Sequence, residues 1–352
     1  MKNIEYDLVI MGATGFTGKL VVEYLIENYG VENEEFTWAI AGRDINKLER
    51  LRSSFKYIDS NSNKIPRLVV DSHDTNSLDK MTSISRLVIS TVGPYLKFGE
   101  ALVESCVKNG THYCDLTGEV PFIRRSIDAF DIKAKKNNCR IVHSCGFDSV
   151  PSDIGVLLLQ MDSLKRFDKP CDEVNLYVRS IRGGLSGGTI DSMISIFKYM
   201  GSNPGHRKLL KSPYSLNPRE SLKNNTWQPI LKSVKWDDDI QRWLCPFIMA
   251  GFNSRIVMRT NAITDYRYGI DFKYSEVSSY KKGLSGFLKA VVMFIGLVLI
   301  QISLKVRPLL WFLRKFFLPS PGEGPSKEIR DNGFFKLDII GSMDNIKKIR
   351  FT

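Results

Sequence analysis

The chain is poor in the residues that bind metals, with four histidines and six cysteines in 352 residues. None of the cysteines forms a C-x-x-C pair or has a histidine at ligand spacing, so no metal site is expected. The thiols read as reduced, which fits a cytoplasmic protein. Internal repeats and low-complexity segments are also lacking, which removes solenoid and disordered classes. At the N-terminus Glu5 and Asp7 stand where a secretory signal needs an unbroken apolar core, so secretion is not expected. Long uncharged runs are scarce. The longest near the C-terminal end, Ala290–Leu304, has 15 residues, about 22 Å as a helix against a bilayer core of about 30 Å.

What is present fits two globular domains, with 43% hydrophobic residues. The net charge of +12 is unevenly placed, since residues 196–330 carry 22 Lys and Arg against 9 Asp and Glu. Such a region attracts nucleic acid or an anionic membrane surface. No zinc-finger or recognition-helix pattern supports nucleic acid, so the membrane surface is the expected partner. Apolar runs alternate with helical patterns in the first half, predicting strands at Tyr6–Met11, Thr37–Ala41, Arg67–Val70, Arg86–Ser90, His112–Asp115 and Arg140–His143. The implied class is α/β, a doubly wound parallel sheet of Rossmann type over residues 1–155. Residues 156–352 read as an α+β substrate domain, with alternating strands at Glu173–Ile181, Arg267–Glu276 and Phe335–Ile340 and a long loop or lid over Gly201–Pro229.

Gly12-Ala13-Thr14-Gly15-Phe16-Thr17-Gly18 follows the first buried strand and opens a helix, the context a dinucleotide-binding glycine loop requires. Gly12 permits the turn, Gly15 the approach of a pyrophosphate, and Gly18 close helix–strand packing. The second strand runs into Gly42-Arg43-Asp44, where an NAD-binding domain would end in an acid. Arg43 instead suits the 2′-phosphate of NADP(H), with Lys47 one turn on. NAD(H) is the alternative, with Arg43 solvated and Asp44 acting as the acid. Thr91-Val92-Gly93-Pro94 ends the fourth strand at the edge where the nicotinamide half belongs. Tyr95, Tyr113 and Asp148 are the candidate proton donors, with Asp115 and Glu119 nearby. No Tyr is followed four residues later by Lys, so that proton relay is absent. Gly183–Thr189 reads either as a backbone anion or carbonyl site or as a hinge.

Taken together, the glycine loop, Ala41-Gly42-Arg43, Gly93-Pro94-Tyr95, Tyr113–Glu119 and Gly146–Asp153 resemble the saccharopine dehydrogenase-like oxidoreductases, including the trans-acting enoyl reductases. Gly187-Gly188-Thr189 and Pro319–Ser326 extend the resemblance over nearly the whole chain. It implies a nicotinamide-dependent reductase, some relatives of which reduce a carbon–carbon double bond in lipid intermediates and associate with membranes or lipid. Members are expected to continue past Phe335–Ile340, which would make this chain a C-terminally shortened one. The basic residues with which true saccharopine dehydrogenases hold two carboxylates have no counterpart that the motifs locate.

The expected protein is an NADPH-dependent oxidoreductase reducing an enoyl bond of a hydrophobic acyl substrate, cytoplasmic and peripherally membrane-associated, with a homodimer open. Two alternatives stand beside it, a non-catalytic NADP-binding membrane scaffold or sensor and a saccharopine-type imine reductase. Residues 284–318, apolar with basic flanks, are expected to meet the membrane surface, a buried or dimer-forming helix and a true span being the other readings.

Overall fold

The computed structural model describes every residue except 1–2, 185, 203, 222–225, 317, 321 and 345–346. The chain divides into two compact units, Met1–Gly146 with Ser186–Tyr199 and Pro319–Gly324, and Phe147–Leu185 with Met200–Leu318 and Pro325–Thr352.

The first unit alternates β1 (Tyr6–Met11), α1 (Phe16–Tyr29), β2 (Trp38–Gly42), α2 (Ile45–Ser54), β3 (Arg67–Val69), α3 (Thr75–Ser83), β4 (Ser85–Ser90), α4 (Tyr95–Phe98), α5 (Glu100–Lys108), β5 (His112–Asp115), α6 (Val120–Lys136) and β6 (Ile141–Val142). Its six strands are all parallel, in the order β3-β2-β1-β4-β5-β6. That is the Rossmann arrangement, with strand order reversing between β1 and β4. Buried Ile10 and Ile40 pack against Val22, Leu25 and Leu48 of the flanking helices, as continuous apolar strands covered on both faces must. Asp44 starts α2 by accepting from the N–H groups of Asn46 and Lys47 at 2.9 and 3.0 Å, and Asp74 starts α3 through Asn76.

The second unit begins with α7 (Val150–Phe167) and β7 (Glu173–Arg182). After α8 (Gly187–Ser202) come α9 (Pro204–Lys211), β8 (Lys235–Asp237), β9 (Arg242–Pro246), α10 (Ala250–Ile263), β10 (Lys273–Tyr280), α11 (Leu284–Ser303), α12 (Arg307–Phe316), α13 (Lys327–Asp331), β11 (Phe334–Met343) and β12 (Lys347–Phe351). A mixed sheet, β12-β11-β7-β10-β9-β8, has one parallel pair, β7 with β10. Alternation along β7 sends Val174, Leu176 and Val178 into a core shared with Val156 and Leu159 of α7 and Val257 of α10.

Three expectations shift. The domain boundary at 155 falls inside α7, whose apolar face packs on the second sheet, so that unit begins at Phe147. Two later segments return to the first unit. The strand expected from Arg267 starts at Lys273, because left-handed Asp265, Tyr266 and Gly269 turn the chain and bury Tyr268 and Phe272. The loop expected over Gly201–Pro229 contains α9 and a short 3-10 turn, Arg219–Ser221.

Candidate active site

The turn after β1 is built so that only glycine fits. Gly12 has φ of +87°, and a side chain there would meet Val92 Cγ2 at 2.7 Å and Thr91 Oγ1 at 2.8 Å. A Cβ on Gly18 would lie 2.3 Å from the Gly12 carbonyl oxygen and 2.8 Å from Ala13 Cα. The first turn of α1 therefore lies directly against the strand end, with Ala13 buried beneath it. Gly15 occupies the N-cap and contributes no side-chain bond, which leaves that end of the helix to backbone N–H groups and a positive dipole. From the neighbouring strand end, Thr91 donates its N–H to Met11 O at 2.9 Å and its hydroxyl to Gly12 O at 3.1 Å. Thr91 and Val92 thus brace the loop from below. The Phe16 ring closes its side, against which Gly324 has no room for a Cβ, at 2.4 Å.

Beside this loop, Thr14, Arg43, Asp44, Ile45, Asn46 and Lys47 line a cleft of about 590 Å3. Arg43 is exposed there. The N–H groups of Lys47 and Asn46 hold the Asp44 carboxyl below its ordinary value, and the same oxygen accepts from both. Through that oxygen Asp44 starts α2, and Arg43 and Lys47 are the two cations of the cleft lining. The glycine clearances and this cationic cleft fit an adenine dinucleotide carrying a 2′-phosphate.

At the end of β4, the Gly93–Pro94 peptide is cis. Glu119, fully buried, receives the N–H groups of Tyr95 and Leu96 at 2.9 Å each and the Ser192 hydroxyl at 2.7 Å. Its carboxyl caps α4 and fixes the loop in front of it. Burial pushes its pKa up, and the three hydrogen bonds oppose that. Tyr95 lies beneath, 4% exposed, with its hydroxyl donated to Ser90 O at 3.0 Å.

A second network closes the ends of β5 and β6. Asp115 accepts from the Tyr113 hydroxyl at 2.9 Å and from the N–H groups of Thr117 and Ser144, both at 3.0 Å. His143 Nδ1 lies 2.7 Å from Asp115, and its Nε2 is 2.9 Å from Ser126 Oγ. Both His143 and His112, which accepts from Arg140 N–H at 3.0 Å, are satisfied polar groups at the sheet flank.

These contacts correct the choice of Tyr95 and Tyr113 as proton donors. Both are buried, both hydroxyl protons are held internally, and burial raises both pKa values well above the ordinary tyrosine range. Asp148 belongs to the second unit and its side chain reaches solvent, while the protein packed around its carboxyl raises its pKa by desolvation. In the glycine-rich Gly183–Thr189 stretch, Gly183 and Gly184 belong to the second unit and Ser186–Thr189 to the first, and Leu185 lies outside the described residues. The N–H groups of Gly187 and Thr189 are taken by Glu323 O and Ser186 Oγ, at 2.9 and 3.3 Å. Sequence reasoning placed Ser192 and Gly324 in the substrate domain, whereas they complete the first unit. The only signal for that was the resemblance over Gly187–Thr189 and Pro319–Ser326.

Among known proteins, residues 8–142 match the family described as the saccharopine dehydrogenase NADP binding domain. The chain is 37% identical over 346 residues to a putative trans-acting enoyl reductase of Mycobacterium tuberculosis, covering 95% of this chain and 80% of that one. It is 33% identical over 357 residues to a trans-acting enoyl reductase of Mycobacterium bovis, covering 99% and 84%. Among solved structures, it is similar to apo saccharopine dehydrogenase (L-Glu forming) from Saccharomyces cerevisiae, at 18% identity and a TM-score of 0.39, covering 51% of this chain and 35% of that one.

Proposed function

The chain belongs to the family of the trans-acting enoyl reductases, and from that premise we propose that it uses NADPH to reduce a carbon–carbon double bond in a hydrophobic, lipid-type substrate. It is an NAD(P)-dependent oxidoreductase with an NADP-binding domain. The observation that carries the cofactor half of the proposal is the cleft in which Arg43 and Lys47 stand beside the glycine loop. The relatives' description as trans-acting enoyl reductases supports the enoyl half.

When bound, NADPH supplies a hydride. The chain's own groups divide the remaining work. Backbone N–H groups at the start of α1 would hold the pyrophosphate, and Arg43 with Lys47 would hold the 2′-phosphate. Glu119 positions the Gly93–Pro94 loop through the N–H groups of Tyr95 and Leu96. Saturating a conjugated enoyl group also requires a proton at the carbon α to the carbonyl. With the Tyr95 and Tyr113 protons held internally, Asp148, whose carboxyl is pushed above its ordinary pKa by desolvation, is the remaining candidate donor of that proton.

The test is consumption of NADPH by the purified protein with α,β-unsaturated acyl thioesters of increasing chain length. The proposal expects one NADPH oxidised per saturated product formed, faster with longer chains. Turnover only with an aldehyde plus an amino acid would replace it with imine reduction. The locked tyrosines also favour a second reading, a non-catalytic NADP-binding scaffold or sensor at a membrane. NADPH binding without oxidation across the whole panel is its signature.

A further inference from the structure

Between Glu276 and Glu323 the sequence holds seven lysines and arginines and no acidic residue. This stretch contains α11 and α12, both in the second unit. The start of α11 is docked, with Gly286 and Ala290 buried and the Phe287 ring 4.8 Å from that of Trp243 on β9. From Val291 to Ile300 the helix is wholly apolar, with no residue fully buried. Val292, Ile295 and Leu299 are 69%, 51% and 52% exposed. In α12, Trp311 is 61% exposed and Phe316 59%, with Lys315 Nζ 4.9 Å from the centre of the Trp311 ring. Contiguous apolar exposure on this scale marks a surface that water does not normally cover.

The 20 residues of α11 extend about 30 Å, enough to cross a bilayer. Sheet topology forbids the crossing. β10 leads into α11, β11 follows α12 and α13, and both strands pair with β7 in one sheet. One crossing would leave them on opposite sides of the membrane. A return crossing needs about 20 further residues, and α12 has 10.

We infer that α11 and α12 form a monotopic docking element that enters a single leaflet of an anionic bilayer, apolar side chains in the acyl region and basic side chains among the headgroups. Trp and Phe interleaved with Arg314 and Lys315 match the composition of the headgroup boundary. Charge decides between occupants. A second copy would bring its own acid-free basic stretch against this one, whereas anionic lipid complements it. The inference goes beyond the reductase reading and does not depend on it.

The test is flotation of the full chain, without detergent, with phosphatidylcholine vesicles that contain or lack phosphatidylglycerol. The protein floats with the anionic vesicles. Exchanging three cations together, Lys305→Gln, Arg314→Gln and Lys315→Gln, lowers that partition by about 100-fold, at about fivefold per charge. Val292→Glu with Leu299→Glu abolishes it, and NADPH binding is unchanged in both variants because every substituted position is remote in sequence from the glycine loop and belongs to the other unit. External protease degrades the vesicle-bound protein with no protected fragment beyond α12. Failure to float with either vesicle, or dimers that dissociate in the Val292→Glu, Leu299→Glu variant, would overturn the docking role. A protected fragment carrying β11 would overturn the single-leaflet placement.

Discussion

Glu276 sits on β10 in the second unit, buried, with its two carboxyl oxygens accepting from Asn253 Nδ2 at 3.0 Å, Ser152 Oγ at 3.3 Å and Tyr274 Oη at 3.1 Å. Burial outweighs these donors and pushes its pKa from 4.5 up to about 7. A raised carboxyl pKa means that the folded state holds the proton more tightly than the unfolded one. Its contribution is full below about pH 4.5, declines as the pH rises and is gone above about pH 7, a loss of about 3 kcal/mol. Glu276→Gln keeps the neutral shape and removes the titration. The variant is expected to match the wild type near pH 4 and to exceed it at pH 8 by up to about 3 kcal/mol, read by urea unfolding across that range. Equal destabilisation of the variant at both pH values would refute the reasoning, because it would mean the carboxylate is ionised and favourably paired. Asp153, pushed by burial up to about 6, acts in the same direction and leaves a residual slope in the variant between about pH 4 and 6.

Gly18→Ala places a methyl group on the Gly12 carbonyl and should cost about 1–3 kcal/mol of stability, with NADPH affinity falling about tenfold or more as α1 moves off the strand end; unchanged titration and melting curves would show that the turn has slack. Glu119→Gln leaves one of the Tyr95, Leu96 and Ser192 donors facing an amide nitrogen, costing about 1–3 kcal/mol. Loss of turnover with no loss of stability would instead make Glu119 the proton donor.

The first unit was legible because its rules are local. A buried apolar strand, Gly12 at positive φ and Gly18 against a carbonyl leave a direct trace in residue type, and Asp44 starts a helix whichever cofactor is bound. The second unit hides more. In α10 the apolar stripe is interrupted by Asn253 and Asn261, both buried because they bond to Glu276 and to the chain around Tyr268. Those partners are distant in sequence or on another element, so no helical period announces them. β8 has three residues and β9 five, too few for alternation to stand out. The tyrosines were misread for a related reason. A tyrosine within or just after a strand at the cofactor edge has the chemistry of a donor, and only the fold shows that Ser90 O and Asp115 already hold the protons of Tyr95 and Tyr113.

The central claim, that the glycine loop and the Arg43 cleft form an NADP(H) site, is tested most directly by calorimetric titration of the protein with NADPH and with NADH. A phosphate held by charged hydrogen bonds of about 1.5–3 kcal/mol predicts NADPH binding about 10- to 100-fold tighter, with the preference largely lost in Arg43→Ala. Equal affinity for the two cofactors, or a preference that survives Arg43→Ala intact, would contradict the account.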